Sequence, residues 1–544
     1  MRQTVPGGVI DVPNEPGAAG INAAEIAAAY QFPIATGRGQ RIALIELGGG
    51  YHAGDLDSAF ADLDPKPVVS AIPVESRNSG LPLQGSNSPL DVTTIGTILD
   101  ALAEPGATFV SMQNRFEPDH KLWSKFLHTF EVTLDVQIAG ALANGAAIDV
   151  YFATLDAEGL TAAIIAATAT RPTVISISWG GSESWWIGDD DPVRSKIHAV
   201  DAALMAARDA DITICCSSGD WGAVGAIATV DGFSRVNFPA SSPHALACGG
   251  TQLRFADGGT ADEAVWNATV FGSPRASGGG MSGLFAKPPY QHTLPSHSSD
   301  HAWLDAGVAA GFDGRWLPDV AGHASRTPGY AITIGGRPFV ADGTSAVCPL
   351  WAALLARISE VIGRRVGWIN ERLYQASGAG CGDVTVGDNT LPGATPSFSA
   401  TPGWDACTGW GSPRGTELGR VLGADPRSRL HRLIFHIAER DRWQSGLAQG
   451  HYTASTVGRE LADEGFIHLS TDAQVAGVHD RFYRGVDNLV LLHIDEAKLS
   501  APLVYEVVGD APGLFPHLYG PLNTDAVVHV DDPFPVQADA GVSA

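Results

Sequence analysis

The sequence has few cysteines, few positive charges and no long uninterrupted apolar run. Its six cysteines are Cys215, Cys216, Cys248, Cys348, Cys381 and Cys407. They are too scattered for a disulfide scaffold and form no CxxC pair, so we expect buried thiols, with a Cys381–Cys407 disulfide as the alternative. Lys and Arg total 34 against 59 Asp and Glu, a formal net charge of -25. This excess of negative charge argues against nucleic acid and anionic membranes as partners.

Membrane-spanning and export signals are also missing. The apolar stretches near 131–153 and 160–180 are interrupted by Asp135, Asp149 and Arg171. No run is therefore long enough to cross a bilayer, and we expect a water-soluble protein. The first twenty residues lack the apolar segment of a signal peptide, which leaves the cellular compartment open.

What is present indicates a globular chain of two domains. Hydrophobic residues make up 44% of the 544 residues, and glycine is abundant at 64. A chain of this length exceeds one hydrophobic core. We predict an N-terminal tail over 1–20, a large domain over 21–425, a linker over 426–432, a small α+β domain over 433–536 and a tail over 537–544.

Strands and helices alternate through the first half of the large domain. Predicted strands are "RIALIEL" (41–47), "IDVYFA" (148–153), "TVISISW" (173–179) and "DITICCSSG" (211–219). Predicted helices cover 23–30, 129–144, 158–169 and 193–209. Apolar strands separated by helices indicate an α/β fold, a mostly parallel sheet with helices on both faces. Ligands of such sheets bind beyond the carboxyl ends of the strands, where Ser217 to Gly219 and Trp179 to Gly181 lie.

A glycine turn precedes a further helix in "ADGTSAVCPLWAALLARI", residues 341–358. Ser345 stands at the predicted start of this helix. Free N–H groups and the helix dipole favour negative charge there, so an oxyanion could form beside a nucleophilic hydroxyl. The alternative is that Ser345 only caps the helix.

Three carboxylates are candidate partners for this hydroxyl. Glu131 and Asp135 in "FEVTLDVQIAGALA" (130–143) are four residues apart and so share one helix face. Like charges this close raise one pKa and permit a shared proton, although a pair of solvated charges is the alternative. Asp220 follows a strand in "CCSSGDWG", either as a turn residue or as a buried acid that donates to an oxyanion.

Seven motifs together carry a family resemblance. They are "FEVTLD", "SISWGG", "SSGDWG", "NFPASSPHALACGGT", "SGGGMSGLFAKPPYQ", "LPDVAGHA" and "DGTSAVCP", in this order within residues 21–425. This stretch resembles the sedolisins, the serine-carboxyl peptidases, and in particular their kumamolisin branch. The resemblance implies a subtilisin-like fold and a serine-type endopeptidase that hydrolyses peptide bonds through an acyl-enzyme at acidic pH.

The resemblance also implies the roles of the four candidate residues. Ser345 would be the nucleophile and Glu131 the general base. Asp135 would orient Glu131 and share a proton with it, and Asp220 would complete the oxyanion hole with the backbone N–H of Ser345. Protein or peptide substrates and a monomer are expected.

Substrate and metal sites follow from the same resemblance. Trp179, Gly279 and Gly280 would line the substrate cleft, with structural packing as the alternative. The segments "CGDVTVGDN" and "TPGWDACTGWGSP" match the family's Ca2+ loop, with ordinary Asp turns as the alternative. Carboxylates and backbone carbonyls would give the all-oxygen shell that a hard cation needs; these ligands are Asp383, Val384, Thr401, Gly403 and Asp405.

Three features depart from the family. Family zymogens carry a long prosegment, whereas about twenty residues precede the domain here. Asp342 stands where the family has glycine and adds negative charge beside the nucleophile. The segment 104–129 lengthens the approach to Glu131. These departures support an alternative hypothesis, a catalytically weakened binding or scaffold protein that keeps the peptidase fold.

The C-terminal domain contains "LIFHIAERDRW", "EGFIHLST" and "LFPHLYGPLNTDAVVHV". It resembles a family of small bacterial domains of unknown function, whose shape is thought to be similar to ADP-ribosyltransferase-type folds. Polar residues at or near strand ends could form a pocket or could be satisfied within the module; they are His436, His468, Ser470, His517 and Tyr519. Their spacing does not favour a metal site, and a nucleotide-linked transferase is a third hypothesis.

Overall fold

The computed structural model describes residues 20–74, 86–117, 121–186, 191–224, 236–255, 261–294, 313–393, 398–423, 433–507 and 514–534. Two compact units divide at residue 428, and the stretch Arg254–Asp262 belongs to the second unit. The predicted linker, the C-terminal tail and all but the last residue of the N-terminal tail lie outside the described residues.

A parallel sheet forms the centre of the larger unit. Its strands are β1 (Arg41–Leu47), β2 (Val68–Pro73), β3 (Ala147–Ala153), β4 (Val174–Ile177), β5 (Thr213–Ser217), β6 (Leu246–Phe255) and β7 (Val320–His323). They lie in the order β7-β6-β5-β4-β1-β3-β2, every neighbouring pair is parallel, and Ala261–Val265 adds to β6. The α/β prediction is confirmed.

Both faces of this sheet are covered, which explains the continuous apolar runs of its strands. On β1, Ile42 and Leu44 face one hydrophobic core, while Ala43 and Ile45 face the other. All four side chains are fully buried. The first core also contains much of helix 347–362, and the second contains residues of helices 157–169 and 191–209.

The helices of the larger unit are α1 (Ala23–Ala29), α2 (Ala53–Ala59), α3 (Val92–Leu102), α4 (Phe109–Phe116), α5 (Leu122–Leu142), α6 (Ala157–Ala169), α7 (Glu183–Trp186), α8 (Asp191–Asp209), α9 (Val347–Ile362), α10 (Asn370–Gln375) and α11 (Gly415–Val421). Helix α5 begins seven residues before the predicted start at 129. Trp123 and Phe126 in this added stretch are buried and pack with α3 and α4. Tertiary burial therefore extends the helix beyond its predicted amphipathic segment.

One helical segment of the described residues, Thr344–Ile362, has the length and apolar composition of a membrane span. The prediction that no run is long enough is wrong for this segment. Of its most apolar window, 72% is buried inside the larger unit. It forms the central core helix, which explains why it is apolar all round.

All six cysteines are free and buried, so buried thiols are confirmed. The Cys381–Cys407 disulfide is wrong, and the Cys407 thiol instead donates to the carbonyl of Phe398 at 3.0 Å.

Short antiparallel pairs connect the helices and the sheet. They join Gly181–Ser182 to Asn237–Phe238, Asn267–Val270 to Ser273–Ala276, Gly280–Ala286 to Gly314–Leu317, Tyr330–Ile334 to Arg337–Ala341, and Cys381–Gly382 to Ser412–Pro413.

The smaller unit is built from antiparallel sheets and short helices, as the α+β prediction expects. One sheet contains Leu433–Glu439, Leu489–Asp495 and Val527–Asp531, and a second contains Ile467–His468, Leu514–Leu518 and Leu503–Val507. Two-stranded pairs join His451–Tyr452 to Leu522–Asn523 and Ala454–Thr456 to Arg459–Glu460. Its helices are Arg440–Gln449, Leu461–Glu464 and Asp472–Val478.

Candidate active site

The carboxyl ends of neighbouring strands bring polar residues to one edge of the central sheet. Glu46 lies near the end of β1, Ser178 follows β4, and Asp220 follows β5. Because β1, β4 and β5 are adjacent and parallel, these ends meet at the same edge. This is where α/β sheets bind their ligands.

Ser345 lies in a tight 3-10 turn, Thr344–Ala346, immediately before α9. Gly343 enters this turn with φ +109°, and a Cβ there would lie 3.0 Å from Oδ2 of Asp220. Glycine is therefore required at this position. No side chain caps the start of α9, so the structure does not support the interpretation of Ser345 as a helix cap. Its side chain is only partly buried.

Glu131 on α5 faces the Ser345 hydroxyl. Burial raises the pKa of Glu131, while a side-chain hydrogen bond from Ser345 opposes this rise. Negative charge on Asp220 raises this pKa further, and positive charge on Arg275 lowers it. The interpretation of Glu131 and Asp135 as solvated surface charges does not fit this buried environment.

Asp135, one turn further along α5, is fully buried and contacts a residue that the sequence analysis missed. Burial raises its pKa well above the ordinary value, and repulsion from Glu46 and Glu131 adds to this effect. Glu46 is also fully buried and is joined to Asp135 by a side-chain hydrogen bond. Two carboxyl groups can form such a bond only when one of them carries a proton. Neither Oδ1 of Asp135 nor Oε1 of Glu46 has another donor.

Donors from the two residues that follow β4 hold this acid pair. The Ser178 hydroxyl donates to Oδ2 of Asp135 at 2.7 Å and also lies 3.1 Å from the carbonyl oxygen of Ser345. Trp179 Nε1 donates to Oε2 of Glu46 at 2.8 Å. Burial raises the pKa of Glu46, and the Trp179 hydrogen bond lowers it. Trp179, predicted to line the substrate cleft, thus also anchors the acid pair.

Asp220 holds the turn that carries the nucleophile. Its Oδ1 accepts from the backbone N–H of Thr344 at 2.9 Å and from the Thr344 hydroxyl at 2.7 Å. Its Oδ2 lies 3.4 Å from Nη1 of Arg275. In these contacts the Asp220 carboxyl group accepts hydrogen bonds. Its predicted role as a proton donor to the oxyanion stays a prediction.

The charge of Asp342 is balanced by a neighbour. Arg326 Nη1 lies 3.1 Å from Oδ1 of Asp342, and both side chains are largely buried. Burial raises the pKa of Asp342, whereas the charges of Arg326 and Arg275 lower it. The Arg326 partner removes the main electrostatic argument for a weakened site.

The lengthened segment before Glu131 packs against the same region. Helix α4 places the Phe109 ring 5.6 Å from the Arg275 guanidinium, which also lies 3.9 Å from the Trp221 ring. Phe109 N donates to the carbonyl of Phe271 at 2.9 Å. The segment therefore positions Arg275 and, through it, the Asp220 carboxylate.

Gly279 and Gly280 are buried beside other parts of the chain. A Cβ on Gly279 would lie 1.9 Å from the Ala406 carbonyl oxygen, and Gly280 has φ +133°. Close packing alone therefore requires glycine at both positions. Their role in substrate binding stays a prediction.

The five predicted calcium ligands lie on two adjoining loops. Gly403 N donates to Oδ2 of Asp383 at 2.8 Å, and Thr401 N donates to Oδ2 of Asp405 at 3.0 Å. Within the described part of the chain, the carbonyl oxygens of Val384, Thr401 and Gly403 accept no backbone hydrogen bond. Carboxylate and carbonyl oxygens are the ligands that a hard cation takes, but both carboxylate oxygens of Asp405 already accept hydrogen bonds within its own loop, and Ca2+ binding stays a prediction.

Comparison with known proteins agrees with this geometry. Over 402 residues, 73% of its length, the chain is 38% identical to kumamolisin from a Bacillus species. The larger unit is a sedolisin-like domain. It is also similar to tripeptidyl-peptidase sed5 of Aspergillus fumigatus, with 27% identity over 67% of this chain. These matches cover 63% and 59% of the two relatives, so the chain spans less than two thirds of their length.

A solved structure shows the fold of the sedolisin-like domain. It is a Pseudomonas sedolisin, described as a serine-carboxyl proteinase in complex with pseudo-iodotyrostatin. The match has a TM-score of 0.57 at 24% identity and covers 75% of this chain and 99% of that structure. In the smaller unit, residues 437–530 match a family described as "Protein of unknown function (DUF952)". The chain therefore joins a sedolisin-like domain to a DUF952 domain.

Proposed function

We propose that this protein is a serine-type endopeptidase that hydrolyses peptide bonds in proteins or peptides through an acyl-enzyme at acidic pH. The observation that carries the proposal is the position of the Ser345 hydroxyl beside the buried carboxyl group of Glu131, close enough to lower the pKa of that group. A nucleophile next to a base, which is itself supported by a third group, is the arrangement that acyl transfer requires.

The chemistry follows from these contacts. Glu131 takes the proton from Ser345 Oγ as Oγ attacks the carbonyl carbon of the substrate, and the backbone N–H of Ser345 stabilises the oxyanion. Glu131 then gives the proton to the leaving amine, and the acyl group stays on Oγ. A water molecule repeats the sequence and releases the new carboxyl terminus.

The acid pair explains why activity should fall at alkaline pH. Of the three clustered carboxyl groups, only Glu131 receives both the Ser345 hydroxyl and the charge of Arg275. The first negative charge that the cluster takes up therefore rests on Glu131, while Asp135 and Glu46 both stay protonated. As the pH rises, the Asp135–Glu46 pair loses a proton and a second negative charge repels the first.

The test is hydrolysis of a denatured protein between about pH 3 and about pH 9, followed by the appearance of new α-amino groups. We expect cleavage on the acid side of neutrality and a falling rate on the alkaline side, because burial raises the pKa of Glu46 to about 8. No cleavage at any pH, or a rate maximum at alkaline pH, would contradict the proposal.

We also propose that the Asp383–Asp405 loops bind Ca2+. The ion would hold together the two loops that pack beside the buried segment Gly278–Gly280, through the Ala406 contact of Gly279. Removal of Ca2+ by a chelator is then expected to lower the midpoint of thermal unfolding. At a concentration about 1,000 times Kd, ligand binding stabilises a fold by about 4 kcal/mol.

A substitution separates calcium binding from a general effect of the chelator. Asp383→Asn should abolish the response of the unfolding midpoint to added Ca2+, because it removes one of the two charged ligands. Asp463→Asn, at an exposed carboxylate of the smaller unit, should keep the response. A midpoint that is independent of Ca2+ in the unchanged protein would refute the site.

A further inference from the structure

One face of the second sheet of the smaller unit carries a cluster of rings. His468 and His517 lie directly opposite each other on neighbouring antiparallel strands. Phe466 stacks on His517 with ring centroids 4.1 Å apart, and Tyr519 lies 5.5 Å from Phe466. His468 contacts both Phe466 and His517, at 4.7 and 4.9 Å. We call these four residues the ring cluster.

The ring cluster does not belong to the hydrophobic core of its unit. Ile467 and Leu518, the neighbouring pair in the same register, point to the other face and are fully buried in that core. On the cluster's own face, Tyr519 and Val504 are each 40% exposed. An aromatic face of this kind on a surface sheet is typical of a binding site.

A carboxylate orders the cluster. Glu506 Oε2 lies 2.8 Å from Nδ1 of His517 and accepts from the Tyr519 hydroxyl at 2.8 Å. These hydrogen bonds lower the pKa of Glu506, so the carboxylate is ionised at neutral pH. Because an ionised carboxylate only accepts hydrogen bonds, Nδ1 of His517 carries the proton.

In the neutral imidazole, which carries one proton, the second nitrogen of His517 is then an acceptor. Nε2 is buried and has no hydrogen-bond partner, and the residue is only 4% exposed. A buried polar atom without a partner costs about 1–3 kcal/mol. A ligand that donates a hydrogen bond to Nε2 would remove this cost.

Neighbouring strands hold the cluster in place. His436 Nδ1 lies 2.8 Å from the carbonyl oxygen of His468, and its Nε2 lies 3.3 Å from the Tyr452 hydroxyl. Ser470 is buried and pairs through its backbone with Phe435. Of the five polar residues predicted at strand ends, His468, His517 and Tyr519 form the cluster, and the other two support its strands.

We propose that the ring cluster binds a planar nitrogen heterocycle with N–H donors, such as a nucleobase. The ligand ring stacks on the exposed aromatic side chains while an N–H group donates to Nε2 of His517. Access of this N–H group to Nε2 requires the Phe466 ring, which stacks on His517, to rotate away. The Glu506 carboxylate repels anions, so the base of a nucleotide is held here and its phosphates are not. This site is independent of peptide hydrolysis.

The experiment uses the full chain with Ser345→Ala, which removes any self-cleavage. Adenosine and guanosine, which lack phosphate, are titrated and binding is followed by ligand-observed NMR and calorimetry. We expect saturable binding of at least one nucleoside. His517→Gln should weaken it at least about tenfold, since loss of one hydrogen bond at a desolvated site costs about that much.

Matched controls come from the same unit. Tyr519→Ala should weaken binding, whereas Phe482→Ala, which removes an exposed ring elsewhere, should not. Far-UV circular dichroism and thermal unfolding establish that each variant is folded, and Tyr519 is exposed enough for its replacement to be tolerated. The proposal is overturned if neither nucleoside binds, or if the folded His517→Gln and Tyr519→Ala variants bind as tightly as the parent.

Discussion

Replacing Ser345 with alanine is expected to lower the hydrolysis of denatured protein near pH 4 on the order of a million-fold. The substitution removes the only atom that can form the acyl-enzyme, while Glu131 and the turn from Gly343 to Ala346 stay in place. The residual rate is that of water attacking a bound substrate. The measurement is the initial rate of α-amino group release by equal amounts of the two proteins.

The control for this prediction is Ser58→Ala, which removes an exposed hydroxyl from α2. It should retain full activity. Thermal unfolding of the Ser345→Ala protein should change little, because Ser345 makes no capping hydrogen bond to α9; loss of a true cap would cost about 1 kcal/mol. Cleavage that survives in the Ser345→Ala protein would favour a binding or scaffold role over the peptidase.

The second large effect is expected for Glu131→Gln, which should lower kcat by about a thousand-fold or more. The amide has nearly the same shape and still accepts a hydrogen bond from Ser345, but it does not take up the proton that leaves Oγ. Substrate binding uses other groups, so KM should change little. Steady-state kinetics with a soluble peptide separate the two parameters.

Glu46→Gln is the informative comparison, because the hydrogen bonds of Glu46 are with Asp135 and Trp179 and not with the nucleophile. The Gln amide supplies permanently the hydrogen that the acid pair shares, so activity near pH 4 should largely survive. In the unchanged protein the pKa of Glu46 is raised by burial, and the shared proton leaves as the pH rises above neutrality. The pH at which activity falls on the alkaline side should therefore be higher in the variant. A loss as large as that of Glu131→Gln would contradict this assignment.

Part of this site could be predicted from local sequence. The spacing of Glu131 and Asp135 places both on one face of any helix, and the glycine before Thr344 indicates a sharp turn ahead of a helix. Glu46 could also have been identified from the sequence, because it is a carboxylate inside the otherwise apolar strand "RIALIEL". A charged residue in a buried strand requires a partner, and its position near the carboxyl end of the strand points to the active edge.

The arginine partners of Asp342 and Asp220 could not be predicted from the sequence. Arg326 and Asp342 are sixteen residues apart. They come together because the strands between them, Tyr330–Ile334 and Arg337–Ala341, form an antiparallel hairpin. Arg275 reaches Asp220 because the neighbouring residues Trp221 and Ala276 form a β-bridge. Neither pairing leaves a periodic pattern in the sequence, since each depends on where a loop returns.

By itself, the sequence determined the alternation of strands and helices, the glycine turn at the nucleophile and the helical spacing of two carboxylates. These features depend on interactions between residues a few positions apart. Only the tertiary structure decided that Glu46 meets Asp135, that Arg326 neutralises Asp342 and that His517 keeps an unpartnered nitrogen. Each of these contacts depends on strand order, register or loop closure, which bring together residues that local periodicity does not relate.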